Sequence, residues 1–169
     1  MKSQPKPFPF ADRRRLLQAT GLFVLAACAA PRVRAASPAA DATRVQMWKS
    51  PTCGCCKDWV AHMEGAGFKL QVFEMEDPGV QRGKLGLNAQ YGSCHTALVE
   101  GYVLEGHVPA ADVRRLLRER PAALGLAVPG MVVGSPGMDG PAYGGQRDRF
   151  DVLLVQRDGA SRVWATHNA

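Results

Sequence analysis

The residues best suited to chemistry stand at Cys53-Gly54-Cys55-Cys56-Lys57. Cys53 and Cys56 make a C-x-x-C, the spacing used for reversible thiol–disulfide exchange, in which Cys53 would be the nucleophile and Cys56 the resolving thiol. Cys55 lies between them, and a third thiol has little use in simple dithiol exchange. It has a use in holding a soft metal ion, since grouped thiolates favour Cu(I), zinc or an iron–sulfur cluster. A fourth cysteine, Cys94, lies about 40 residues further on with His95 beside it. An imidazole there could ligate an oxidised copper ion, and the thioethers of Met131 and Met138 suit Cu(I). Met is also a common core filler, and His95 could equally serve a loop by bonding backbone.

The elements that must position these groups follow from periodicity. Arg44 to Lys49 alternates and reads as a strand, followed by a loop at Ser50 to Gly54. From Cys55 a helix is expected, because Cys56, Trp59, Val60 and Met63 fall on one face; Gly65 and Gly67 end it. Phe68 to Met75 reads as a second strand and Val80 to Leu87 as a short, weak helix. Thr96 to Glu100 and Tyr102 to His107 read as strands joined at Gly101. Ala110 to Arg120 reads as a helix with Val113, Leu116 and Leu117 inward and its arginines outward, stopped by Pro121. Val128 to Arg149 is a long stretch rich in Gly and Pro, and loops of that length are usually functional or mobile. A hairpin of Phe150 to Gln156 and Ser161 to Ala165 closes the chain around Asp158-Gly159.

Two strands with a crossover helix, then an antiparallel pair and a helix, make a thioredoxin-like α/β arrangement with an added C-terminal hairpin. The C-x-x-C after a strand, opening a helix, sits where thioredoxin-like proteins carry theirs, and helix N-termini stabilise thiolates. In that fold the approach to the antiparallel pair holds a cis-proline loop packed against the C-x-x-C; here Cys94-His95 stands in its place. The resemblance implies that Cys94 faces Cys53, Cys55 and Cys56. Such a three-plus-one grouping departs from the paired ligands of most structural zinc sites, so zinc is disfavoured. Adjacent Cys55 and Cys56 suit bridging thiolates and more than one Cu(I). Two structural disulfides remain an alternative, though a bridge closing so short a loop stabilises little.

The 169 residues carry 21 Lys+Arg against 15 Asp+Glu, a net charge of +6 that invites a nucleic-acid reading. Its placement removes that reading. Lys2, Lys6, Arg13, Arg14, Arg15, Arg32 and Arg34 face only Asp12 within residues 1–35, so residues 36–169 are neutral. A basic region followed by an apolar stretch from Gly21 to Ala30 reads as an export signal, and Arg13-Arg14 ahead of Leu16-Leu17 looks like a twin-arginine signal. Two cleavage points compete: before Ala36, or at Cys28, which ends a lipobox-like Leu25-Ala26-Ala27 and would be lipidated. Residues 36–43 form an Ala/Pro/Ser linker and residues 44–169 the folded domain. No apolar run reaches the roughly 18 residues of a spanning helix, so membrane contact is expected only through a lipid anchor. His62 is expected to be solvated, and the sequence offers no partner for His107 or His167. Arg114, Arg115, Arg118 and Arg120 read as a wet helix face, and Gly134-Ser135-Pro136-Gly137 lacks the Lys of a phosphate loop.

Three motifs together resemble the CopG-like family: C-G-C-C after a Trp-bearing strand, S-C-H-T-A-L-V-E-G-Y-V-L-E-G-H-V-P at 93–109, and V-P-G-M-x-x-G-S-P-G-M at 128–138. The likeness runs over about residues 44–165. It implies a periplasmic, thioredoxin-like copper-resistance protein, with Cys53, Cys55, Cys56 and Cys94 as copper ligands and redox cycling between Cu(I) and Cu(II). The implied partners are copper ions and, beyond them, a copper exporter or other periplasmic copper proteins. A copper-dependent oxidoreductase activity is one expectation, and a thiol–disulfide oxidoreductase or a passive copper chaperone are the alternatives.

Overall fold

The computed structural model describes residues 42–169; the leader, its two cleavage points, Cys28 and most of the linker lie outside the described residues. Seven strands form one mixed sheet: β1 (Arg44–Lys49), β2 (Lys69–Glu74), β3 (His95–Val99), β4 (Tyr102–Glu105), β5 (Gly125–Ala127), β6 (Phe150–Val155) and β7 (Ser161–His167), in the order β2-β1-β3-β4-β5-β6-β7. β1 runs parallel to β2 and antiparallel to β3, and β4 is antiparallel to β3. With helices α1 (Gly54–Gly65), α2 (Pro78–Lys84) and α3 (Ala110–Glu119), the first four strands have the order and directions expected from the sequence.

The added part is larger than expected. β5, only three residues long, pairs parallel with β4 and antiparallel with β6, and so joins the C-terminal hairpin to the sheet. Gly125-Leu126-Ala127 is too short to announce itself by alternation. β7 also reaches His167, two residues beyond the expected end.

Alternation along the strands sorts side chains to two faces. Val45, Met47, Ala97, Val99 and Leu104 pack with Trp59 and Met63 of α1 and with Val113 and Leu116 of α3. Leu98, Val103 and Ala127 turn to the other face and meet Leu87 and Tyr91, in the segment after α2. Trp59 is fully buried, and its Nε1–H donates to Val108 O at 2.9 Å, tying α1 to the segment that leads into α3. His62 on α1 is exposed but not simply solvated: its Nε2 accepts the Ala110 N–H at 3.0 Å, serving one of the unpaired donors at the start of α3. His167 has partners too, with Nε2 2.7 Å from the largely buried Asp112 and its ring stacked on Phe150. Arg115, expected on the wet face, lays its guanidinium over Trp164 at 3.9 Å from the ring centroid.

The β3–β4 turn consists of Glu100 and Gly101, both at positive φ (44° and 85°), the requirement of a tight two-residue hairpin. It pairs Val99 with Tyr102 and Thr96 with Glu105. No helix among the described residues is long and apolar enough to cross a membrane.

Candidate metal centre

All four predicted cysteines come together. β1 ends at Lys49, the loop turns through Pro51, and Cys53 takes the N-cap position of α1 in extended geometry. Cys55 and Cys56 fall in the first helical turn, buried on the face that meets the sheet. Cys94 arrives from the segment just before β3. The sulfurs of Cys53, Cys55, Cys56 and Cys94 lie within 4.8 Å of one another. Cys53 and Cys56 are joined by a disulfide, while Cys55 and Cys94 are free thiols. The Cys55 thiol lies 3.7 Å from the Cys53 sulfur.

A second group shares an edge with the first. Cys56, Cys94, His95 and His107 also place their ligand atoms within 4.8 Å of one another. Cys94 Sγ is 3.4 Å from His95 Nδ1 and 3.2 Å from His107 Nε2. His95 is fully buried and His107 2% exposed, their rings 5.2 Å apart, with the Trp59 ring tilted against His95 at 4.5 Å. His107 is the residue that sequence reasoning missed. It had no partner in sequence, yet it stands across from Cys94 when the β3–β4 register is carried two residues past Thr96 and Glu105.

Burial governs protonation here. It pushes the Cys94 thiol up to about 12, with the neighbouring Cys55 adding to the rise and the Ser93 hydroxyl opposing it. It holds His95 well below its ordinary value, helped by His107, and lowers His107 to about 4 against the pull of Asp139 and Asp58. Both rings are therefore neutral at pH 7, the state in which imidazole ligates a metal. His95 Nε2 and His107 Nδ1 have no hydrogen-bond partner among the described residues.

The loop from residue 128 to 149 packs against this centre through Gly137 and Met138. Gly137, at φ +86°, approaches α1 so closely that a Cβ would lie 2.7 Å from Trp59 N and 2.8 Å from Cys55 O. Met138 next to it is buried in the apolar cluster that contains Cys55 and Cys56. Met131 is 56% exposed; it follows Gly130, whose N–H donates to Gly92 O and whose carbonyl accepts the Ser93 hydroxyl.

No proline supports the Cys94 segment, and no peptide bond among the described residues is cis. Glu105 does the tethering instead. Its carboxylate is fully buried and accepts from Ser93 N–H at 2.7 Å, Thr96 Oγ1 at 2.6 Å and Arg82 Nε at 3.0 Å.

An α/β fold in which the start of α1 and the ends of β3 and β4 gather four cysteines and two histidines defines a protein built around a soft-ligand centre. A sequence profile described as "Protein of unknown function, DUF411" matches residues 91–138. The chain is similar to the solved structure "Copper resistance protein copG- Form 1" at 41% identity, over 76% of this chain and 99% of that one, with a TM-score of 0.69. "Copper resistance protein copG- Form 2" matches at 41% identity, over 75% and 98%, again with a TM-score of 0.69. No curated protein matches. The chain belongs to the CopG-like family.

Proposed function

We propose that this protein binds copper in a copper-resistance role, holding Cu(I) between Cys53, Cys55, Cys56 and Cys94, with His95 and His107 as nitrogen donors on the Cys94 side. The observation that carries the reading is the pair of ligand groups sharing Cys56 and Cys94. Shared sulfurs suit thiolate bridging, and so more than one Cu(I). Neutral imidazoles beside thiolates offer donors acceptable to both copper oxidation states, which supports cycling between Cu(I) and Cu(II). The four-sulfur form is the reduced one: the Cys53–Cys56 bond must first take two electrons and two protons from an external dithiol, which leaves as its own disulfide. Met138, buried beside the cysteines, and Met131, exposed beyond Gly130, are the outer thioether candidates.

Residues 1–35 would export the chain to the periplasm, leaving it soluble after cleavage before Ala36 or anchored by lipid at Cys28. Its partners there would be copper ions and an exporter or other copper proteins to which it passes them.

The deciding experiment is metal analysis of anaerobically purified, reduced protein beside single Cys→Ser variants. Copper retained by the wild type and lost from the variants supports the reading. One equivalent of zinc, or no metal, overturns it.

The Cys53–Cys56 disulfide at a helix N-terminus favours a second reading, a thiol–disulfide oxidoreductase with Cys53 as nucleophile. Insulin reduction by the metal-free protein at rates typical of dithiol oxidoreductases would support it, and inactivity would remove it.

A further inference from the structure

We propose that Glu105 is a positioning residue for the metal centre, fixing Cys94 and its two neighbouring imidazoles in ligating geometry. The inference rests on the copper-binding reading for its metal arm, but the geometry behind it does not.

Cys94 and His95 sit in a segment bonded to Glu105 on both sides: Ser93 donates its backbone N–H and Thr96 its hydroxyl to the same carboxylate. The two oxygens divide the work, Oε1 taking Ser93 and Oε2 taking Thr96. Glu105 also ends β4, two residues before His107. One fully buried side chain thus spans the gap between the strand that delivers Cys94 and the strand that delivers His107. Arg82 of α2, partly buried, donates to Oε1 from the far side, so the fully buried anion is paired and cannot swing away without giving up its cation. A carboxylate buried for stability alone is a poor investment, since an apolar residue of similar volume usually serves as well. Its placement around the ligand-bearing segment explains why this site retains one. Partners of this kind, outside the ligand set, typically govern metal affinity by about 10- to 100-fold.

The test compares Glu105→Ala, Glu105→Gln and Thr96→Val in the full chain, with Leu116→Ala as a control that removes core volume along α3, away from the cysteines. The first readout needs no metal: the rate of iodoacetamide alkylation at Cys94, resolved by peptide mass. The second is Cu(I) affinity of the reduced protein, by competition with a chromogenic chelator. Glu105→Ala is expected to speed Cys94 alkylation by about tenfold or more and to weaken Cu(I) binding by about the same factor. Glu105→Gln, which keeps an acceptor for Ser93 and a donor for the Thr96 oxygen, is expected to restore both to within about threefold. Thr96→Val, milder and isosteric, should move both in the direction of Glu105→Ala; it decides the matter if Glu105→Ala does not fold. The proposal is overturned if Thr96→Val and a folded Glu105→Ala leave Cys94 alkylation within about twofold of wild type, or if Leu116→Ala changes it as much at equal loss of stability. Wild-type protein that binds no Cu(I), while alkylation still follows Glu105, overturns the copper reading and leaves the positioning role standing.

Discussion

Cys94 Sγ lies 3.2 Å from His107 Nε2 because a two-residue turn sets the β3–β4 register. The contact is direct and cross-strand, and it places a nitrogen donor beside a sulfur that the cysteine motif alone leaves without one. It gives the centre an ordered, buried side opposite the helix N-terminus.

If His107 is a ligand, replacing it with phenylalanine, which keeps the volume, should lower Cu(I) affinity by at least about tenfold, or roughly 1.4 kcal/mol. Chelator competition on reduced protein measures this. Unchanged affinity would assign His107 to packing.

Stability should fall in mild acid. His107 is held near 4 in the folded protein against 6.5 in the open chain, and burial holds His95 well below its ordinary value too. Between those values the unfolded state binds more protons, so stability drops as pH falls from about 6.5 towards 4. His107 alone would contribute about 3 kcal/mol to that loss. Denaturant titrations of metal-free protein at pH 7 and pH 4.5 should show it, with a smaller difference for His107→Phe. Equal slopes in the two proteins would contradict the burial argument.

At the alkaline end the sign reverses. Cys94 holds its proton to about 12, against 9.0 for an ordinary thiol, so stability should also decline as pH rises above about 9. The same retained proton must leave when a metal arrives. Cu(I) affinity should therefore strengthen by about tenfold per pH unit for each thiol proton displaced. Competition measured at pH 6 and pH 8 gives that slope, and Cys94→Ser should reduce it by one proton. A slope unaffected by Cys94→Ser would remove Cys94 from the ligand set.

Gly137→Ala should destabilise the protein by about 2 kcal/mol or more, because the new methyl meets the α1 backbone at a residue whose φ already disfavours a side chain. Thermal unfolding tests this. Retention of wild-type stability would mean the loop can lift off α1 at little cost.

The cysteines were legible because their chemistry is rare and their spacing dense. Cys94 needed the topology, which the alternation in β1, β3 and β4 made available. His107 was within reach as well: counting outward from the Glu100-Gly101 turn pairs Cys94 with His107, but only once the turn is known to hold two residues. β5 was hidden by its length, and its pairing depends on partners more than twenty residues away on either side. Glu105 is one more residue of the Tyr102 to His107 strand in the sequence, since nothing local marks a carboxylate that will be buried by Arg82, Ser93 and Thr96 from elsewhere in the chain. The Gly- and Pro-rich stretch showed its irregularity in sequence, but not that Gly137 brings it against α1.

The ligand-bearing residues sit at the start of α1, where β3 begins and just past the end of β4. An ion held among them would act as a rivet joining α1 to two neighbouring strands, β3 and β4, and none could separate without releasing it. Loading would then reach well beyond the cysteines. Amides along the middle of the sheet should slow their hydrogen exchange together, by a common factor set by ion concentration and affinity, so that occupancy could be read from strands that touch no metal.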